Sequence, residues 1–232
     1  INSAMRFLLV RGLLLVSTST LLPGCAQRSF QSQTLDPAAV ATHHTVAILP
    51  FAVELERLGD MALGVHAGKW SDSTLDSGLR AKRQQMGYQL QAALQAALLR
   101  QQVHHAPTVT FQNPAETNQR LARAGIPYDS LATCSLAQVH AALGVDALLV
   151  GHTSLDQLLP GSLSLAVLVL SDHTNPLAEN TVRTHLESYD TQSGQLVWQF
   201  DHELRGKLSV RPAALAKKLV RTMRGTFPYL KQ

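Results

Sequence analysis

Continuous apolar runs alternate with helical periods along most of the chain, and this pattern predicts an α/β fold. Residues 45–51 and 145–150 are apolar throughout, which is typical of strands buried on both faces. Between them, residues 79–101 carry apolar side chains at helical spacing, with polar side chains on the other side. The two patterns together predict a sheet covered by helices.

Capping sequences mark the starts of two shorter helices. Asn113 followed by Pro114 predicts an N-cap and a first helical residue. Ser135 with Gln138 three positions later predicts a capping box, and Gly144 is the expected end of that second helix.

The second half of the chain changes to a β pattern. Residues 163–170 are apolar at both odd and even positions, which predicts a strand. Residues 181–190 and 195–204 are joined by a Gly-containing turn and predict an antiparallel hairpin. A closing amphipathic helix begins near Pro212. Its polar side carries four cations, expected to form a solvated face: Lys217, Lys218, Arg221 and Arg224.

These elements predict a single, three-layer-like α/β domain over residues 45–232, with a mixed sheet, an antiparallel hairpin and flanking helices. A strand over 103–111 is also expected. Residues 52–77 show no clear period and predict a long loop, and loops of that length in a compact domain are usually functional, mobile or insertions.

The first 24 residues are predicted to be a lipoprotein signal peptide. Arg6 and Arg11 come before an apolar stretch over 12–22, which is shorter than the ~20 residues that a spanning helix needs. The stretch ends in Leu22-Pro23-Gly24-Cys25, which is similar to the lipobox of bacterial lipoproteins. Cys25 is therefore the expected lipid attachment residue. The alternative is an ordinary cysteine after a generic signal or a short buried helix.

The segment after Cys25 differs from the rest of the chain. Residues 25–44 are rich in Gln, Ser, Thr and Ala without an apolar period, and they are predicted to be a flexible tether. If Cys25 carries lipid, Cys134 is the second and last thiol of the sequence. We then expect Cys134 to be a small buried hydrophobic residue, and we expect no intrachain disulfide.

Charge and composition change little in this interpretation. The chain has 232 residues, 45% of them hydrophobic, and a formal charge of +4, which falls to +2 when Arg6 and Arg11 are set aside. A balance so close to neutral gives no reason to expect a nucleic-acid partner.

The sequence matches none of the common catalytic or cofactor motifs, so we expect a protein that is not an enzyme and has no cofactor. Its ten histidines include the adjacent pairs His43-His44 and His104-His105. Neighbours in a strand point to opposite faces and do not chelate together, so no metal site is predicted.

One Ser-His-Asp set is present in the sequence. His152, Ser154 and Asp156 are spaced by two, which places them on one side of a strand end. They lack the sharp turn that presents a nucleophile, so no catalytic residue is assigned there.

Four segments in a fixed order resemble a group of bacterial envelope lipoproteins. They stand behind the lipobox and match the core of the curli secretion channel lipoprotein, the amino-terminal domain of the Tol-Pal translocation protein and the lipoprotein activators of peptidoglycan synthases. The resemblance implies a non-enzymatic α/β interaction module. The segments are Val46–Phe51, Leu143–Gly151, Tyr189–Trp198 and the closing helix, with further likeness at Thr117-Asn118, Ala124–Ile126 and Thr226–Leu230.

The resemblance implies two functions, and the sequence leaves both open. The first is a binding or assembly module, anchored by its N-terminal lipid in the outer membrane and facing the periplasm, with other envelope proteins as partners. Ala26 after the cysteine, instead of Asp, favours the outer membrane. The alternative is an oligomeric outer-membrane export channel of the curli-channel type, built from identical subunits. Apolar-polar alternation over 181–204 fits both functions.

Overall fold

A computed structural model describes residues 27–55, 72–103, 107–157, 180–206 and 208–230. The strands are β1 (Gln27–Thr34), β2 (Thr45–Ile48), β3 (Ala52–Leu55), β4 (Thr110–Phe111), β5 (Ala147–Gln157), β6 (Asn180–Asp190) and β7 (Leu196–Gly206). The α-helices are α1 (Pro37–Thr42), α2 (Asp72–Leu99), α3 (Pro114–Arg123), α4 (Leu136–Leu143) and α5 (Pro212–Met223), with 3-10 turns at Arg100–Val103 and Tyr128–Ser130. None of these helices combines the length and the apolar character needed to cross a membrane.

All seven strands belong to one mixed sheet. Their order is β1-β7-β6-β5-β2-β4, and β3 continues the line of β2 along β5. The β5, β6, β7 and β1 strands are antiparallel neighbours, whereas β2 and β3 run parallel to β5. The predicted α/β domain, with a mixed sheet, an antiparallel hairpin and flanking helices, is confirmed.

The two faces of the sheet are covered unequally. The α2 and α5 helices bury one face, which we call the covered face, from β2 across to β7. On the other side, α3 and α4 cover β2 and the start of β5. Among the described residues, nothing covers the remainder of that side, which we call the open face. Side chains that represent the covered core are Leu90, Leu94, Leu186, Trp198, Phe200, Leu215 and Leu219.

The predicted strand over 45–51 is divided in two by a bulge. Ile48 stands opposite Leu149 and Ala52 opposite His152, so this strand has one residue more than β5 over the same distance. The extra residue lies in the Leu-Pro-Phe segment and turns Phe51 into the core, where it is fully buried.

Phe51 joins three elements at this bulge. Its backbone N–H donates to the Gly87 carbonyl of α2 at 3.2 Å, and the Tyr128 hydroxyl donates to its carbonyl at 2.7 Å. Its ring lies directly over Gly151 of β5, where a Cβ would be 2.5 Å from the ring. The bulge therefore fixes how α2 and the 128–130 turn lie on the sheet.

The predicted flexible tether over 25–44 is wrong for most of its length. Residues 27–34 form β1, which pairs with β7 along all eight residues, and Asp36 caps α1 by accepting from the Ala39 backbone N–H at 2.9 Å. An edge strand is held by backbone hydrogen bonds, so a polar strand of Gln, Ser and Thr leaves no apolar period in the sequence.

Other boundaries also differ from the expectations. The α2 helix begins at residue 72 instead of 79, β5 extends to 157, and the strand expected over 103–111 is reduced to β4. The long loop expected from residue 52 begins with β3. Several predictions lie outside the described residues: the signal peptide with Cys25, the rest of that loop at 56–71, the pair His104-His105 and the strand expected over 163–170.

Adding one methyl group at Gly87 tests this packing. A Cβ at Gly87 would lie 2.3 Å from the Phe51 carbonyl oxygen and 2.8 Å from the Tyr128 hydroxyl. We expect Gly87→Ala to lower the free energy of unfolding by about 1–3 kcal/mol, although alanine favours a helix. Gly225→Ala is the control because a Cβ there meets nothing within 4 Å. Equal unfolding midpoints in urea for the two variants would contradict the packing.

Candidate binding face

Strand register places polar side chains in rows across the open face. They line a cleft of about 450 Å³ that reaches from β3 across β5, β6 and β7 to β1. Five strands at ~4.8 Å spacing make this surface about 19 Å wide. One row consists of Ala52, His152, His185, Asp201 and Gln31, and the next of Glu54, Ser154, Arg183, Glu203 and Ser29.

His185 lies at the centre of the open face between two carboxylates. Its Nδ1 is 2.7 Å from Asp201 Oδ1, and its Nε2 is 3.1 Å from Glu187 Oε1. Burial lowers the pKa of His185, but the hydrogen bonds with Asp201 and Glu187 outweigh it, so the pKa is raised above 6.5. Both ring nitrogens therefore donate when the imidazole is protonated.

The other charges on the open face form a second group of ion pairs. Arg183 Nε is 3.0 Å from Glu203 Oε2 and its Nη1 is 3.9 Å from Asp156 Oδ2, while Arg205 Nε lies against the other oxygen of Glu203. Hydrogen bonding to Arg205, with further help from Arg183, lowers the pKa of Glu203. Exposed pairs of this kind contribute about 0–1 kcal/mol each, so a partner with complementary charges can replace them at little cost.

The Ser-His-Asp set noted in the sequence does lie on one side of β5. His152, Ser154 and Asp156 all face the open side and line or border the cleft. No hydrogen bond joins these three described side chains, so Ser154 has no base in contact with its hydroxyl. The arrangement lacks the nucleophile–base pair that acyl transfer uses.

A buried hydrogen-bonded chain elsewhere in the fold was missed by the sequence reasoning. The His43 ring contacts Asp190 Oδ1 through Nε2 at 3.1 Å and the Tyr229 hydroxyl through Nδ1 at 2.9 Å. The Tyr229 hydroxyl in turn contacts the Ser188 hydroxyl at 2.8 Å. Ser188 and Tyr229 are fully buried, and His43 nearly so.

The directions of these bonds follow from the acidity of Asp190. Burial raises its pKa, but bonds from Ser193 and His43 outweigh burial and lower it, so Asp190 is an ionised acceptor. His43 Nε2 must then donate, and in the neutral ring Nδ1 accepts from Tyr229, whose pKa burial raises to about 12. The chain ties residue 43, the β6–β7 hairpin and the C-terminal segment together inside the core.

The remaining candidate residues serve structural roles or lie apart. The two residues of the His43-His44 pair do point apart, since His43 is buried and His44 is exposed. Cys134 is half-buried and packs against the apolar cluster under α3 and α4. Within the described ranges, no three His, Cys, Asp or Glu side chains are placed to hold a metal ion. Of the four cations expected on the closing helix, Lys217, Arg221 and Arg224, the residue that follows α5, are exposed, and Lys218 is half-buried.

Comparison with known proteins gives structural similarity only. No protein-family model and no curated protein sequence matches the chain. Among solved structures, the PelC dodecamer of Paraburkholderia phytofirmans is 11% identical, with 89% of this chain and 99% of that chain covered and a TM-score of 0.37.

Two further structures are similar at the same level. Lipoprotein GNA1162 of Neisseria meningitidis is 12% identical, with 79% and 99% covered and a TM-score of 0.40. The C-terminal domain of LpoB from Salmonella enterica is 8% identical, with 69% and 82% covered and a TM-score of 0.31. Because these TM-scores are below 0.5, the similarity carries no conclusion about the function of this chain.

The pKa values of two histidines on opposite faces of the sheet are shifted in opposite directions. His185 should titrate above pH 6.5, and His202, whose pKa is lowered to about 4 by burial and by Arg28 and Lys218, well below it. The stabilisation from protonated His185 is therefore complete below pH 6.5 and lost as the pH rises through its folded-state pKa.

The variant Asp201→Asn tests whether Asp201 raises the pKa of His185. We expect the variant to lower the pKa of His185 and to leave that of His202 unchanged, because Asp201 bonds only the first of these rings. Imidazole chemical shifts followed by NMR across the pH range measure both values. An unchanged His185 pKa in the variant would contradict the geometry of the open face.

Proposed function

We propose that the chain is a lipid-anchored lipoprotein of the bacterial cell envelope that acts as a non-enzymatic binding or assembly module. Two features support the proposal: the lipobox that ends at Cys25 and the open face beside β1. The lipid holds the domain at the outer membrane on its periplasmic side, since Ala26 and not Asp follows the cysteine.

The open face is the observation that carries the binding role. It presents both signs of charge at fixed positions, in rows set by the register of five strands. Its ion pairs are exposed and exchangeable, which suits recognition of a protein surface of complementary charge more than a role in stability. The occupant that we propose is therefore another envelope protein.

The polar groups of the described residues favour binding over catalysis. Ser154 on the open face has no base beside it, and Ser188, which does belong to a Ser-Tyr-His-Asp chain, is fully buried. A buried hydroxyl surrounded by core side chains has no room for a substrate. In this proposal the polar groups of the open face serve recognition, and those of the buried chain fix the packing of the core.

The alternation in the β6–β7 hairpin no longer favours an export channel. Val182 and Leu186 of β6 and Trp198 and Phe200 of β7 lie in the core beneath α2 and α5. Their opposite neighbours form the open face. The alternation is thus explained by a sheet with one covered side, and we propose the binding module alone.

Site-specific photo-crosslinking in intact envelopes tests this function. A photoreactive residue at His152 or Gln31 lies on the open face, and one at Gln85 or Gln89 lies on the exposed side of α2 as a matched control. We expect one discrete adduct with the same envelope protein from both open-face positions and none from the α2 positions. Adducts from α2 alone, or equal adducts from both surfaces, would contradict the proposal.

The same experiment with Cys25→Ser tests the anchor. Without lipid the chain should leave membranes that are washed at high ionic strength, which screens exposed charges, and the adduct should decrease because the partner and the chain no longer share a membrane. Unchanged fractionation of Cys25→Ser after the high-ionic-strength wash would refute the anchor, whatever the crosslinking shows.

A further inference from the structure

The position of β1 in the sequence determines how the domain meets the membrane. β1 begins at Gln27, two residues after Cys25, so the chain between the thioether and the sheet spans at most ~7 Å. The inference rests on the proposed lipid attachment at Cys25. With so short a connection, the end of the sheet that contains Gln27 lies at the membrane surface.

Strand register identifies the residues at this end. Gln27 stands opposite Arg205, Arg205 opposite Thr181, and Thr181 opposite Asp156. The start of β1, the end of β7, the start of β6 and the end of β5 therefore share one edge, which we call the Gln27 end.

The first half of α5 lies level with the same end. Thr222 of α5 contacts His202 of β7 at 3.4 Å, and farther along, the Thr226 carbonyl accepts from Trp198 Nε1 at 3.2 Å. The helix thus runs antiparallel to β7. Ten helical residues span ~15 Å and four strand residues ~13 Å, so Pro212 is level with Gly206.

Four cations that are not paired with a described carboxylate lie at this end. Arg28, Arg211 and Lys217 are exposed, Lys218 is half-buried, and none of the four forms an ion pair with a described residue. Arg28 Nη1 donates instead to the Thr222 hydroxyl at 3.2 Å, which holds β1 on α5. We call these four residues the basic end.

Within the described part of the chain, the acidic residues at the Gln27 end do not neutralise the basic end. Asp156 and Glu203 are already paired with Arg183 and Arg205 on the open face. Glu54 lies near the other edge of the sheet, on β3, which is separated from β1 by β5, β6 and β7. The low pKa of His202, about 4, reflects burial first and then the positive charges of Arg28 and Lys218 beside it.

We propose that the basic end rests on the membrane and that Arg28, Arg211 and Lys217 bind the phosphates of anionic phospholipid headgroups. The lipid at Cys25 supplies attachment, and the cations supply orientation. In this orientation the strands rise from the membrane and the open face stands to one side, where a neighbouring envelope protein can reach it.

Vesicle binding by the unlipidated chain, Cys25→Ser, tests the proposal without the anchor. The probes are vesicles of phosphatidylethanolamine with and without phosphatidylglycerol, at low ionic strength, where screening is weak. We expect the partition coefficient to be higher with phosphatidylglycerol. Arg28→Gln, Arg211→Gln and Lys217→Gln together should lower it on the order of a hundredfold, at roughly fivefold per charge.

A matched triple variant controls for net charge. Arg100, Arg123 and Arg224 are exposed cations outside the basic end, and Arg224 lies between Thr222 and Thr226, whose carbonyl accepts from Trp198, the residue opposite Thr34. Six strand residues, about 20 Å, separate Thr34 from Arg28. Arg100→Gln, Arg123→Gln and Arg224→Gln together should leave most of the binding intact. Equal loss in both triple variants, or equal binding to both vesicle types by the unsubstituted chain, would overturn the proposal.

Lipid attachment at Cys25 and phospholipid binding by the basic end are tested by different measurements. If Cys25 carries no lipid, labelling with radioactive palmitate fails in cells while charge-dependent vesicle binding persists. If the basic end does not bind phospholipid, the label is incorporated and vesicle binding does not depend on the three cations. Each claim is thus contradicted by its own measurement.

Discussion

Burial of one whole side of the sheet beneath α2 and α5 is the constraint on which the rest of the structure depends. These helices cover every strand from β2 to β7, so alternate side chains of β6 and β7 must be apolar. The opposite side chains are then free to be polar, because α3 and α4 reach only β2 and the start of β5. The open face and its rows of charges are a consequence of this unequal coverage.

The bulge at Phe51 makes the coverage possible. Gly87 and Gly151 allow the ring and carbonyl of Phe51 to approach α2 and β5 closely, and Tyr128 closes the contact from the other side. A second set of contacts, the chain from Ser188 through Tyr229 and His43 to Asp190, joins three segments that are distant in the sequence. Both sites use polar groups to fix packing, whereas the described polar groups of the open face are exposed or half-buried.

The sequence predicted those parts of the fold that depend on apolar periodicity or local capping. The hairpin, the Ser135 capping box with its end at Gly144, and the start of α5 at Pro212 all agree with the structure. β1 was missed because an edge strand is held by its backbone. The partners of His43 were missed because Asp190 and Tyr229 are brought together by the fold, and no local spacing relates them.

The open face was only partly visible in the sequence. The spacing of His152, Ser154 and Asp156 correctly predicted that they share a side, but the contacts of His185 with Asp201 and Glu187 depend on strand register. We infer a lipid-anchored module whose folded body begins directly after its anchor. Intact-mass spectrometry of the protein from its native membrane tests it most directly. We expect a mature chain that begins at Cys25 and carries a diacylglyceryl group. A chain that retains residues before Cys25, or that has a free Cys25 thiol, would refute the anchor.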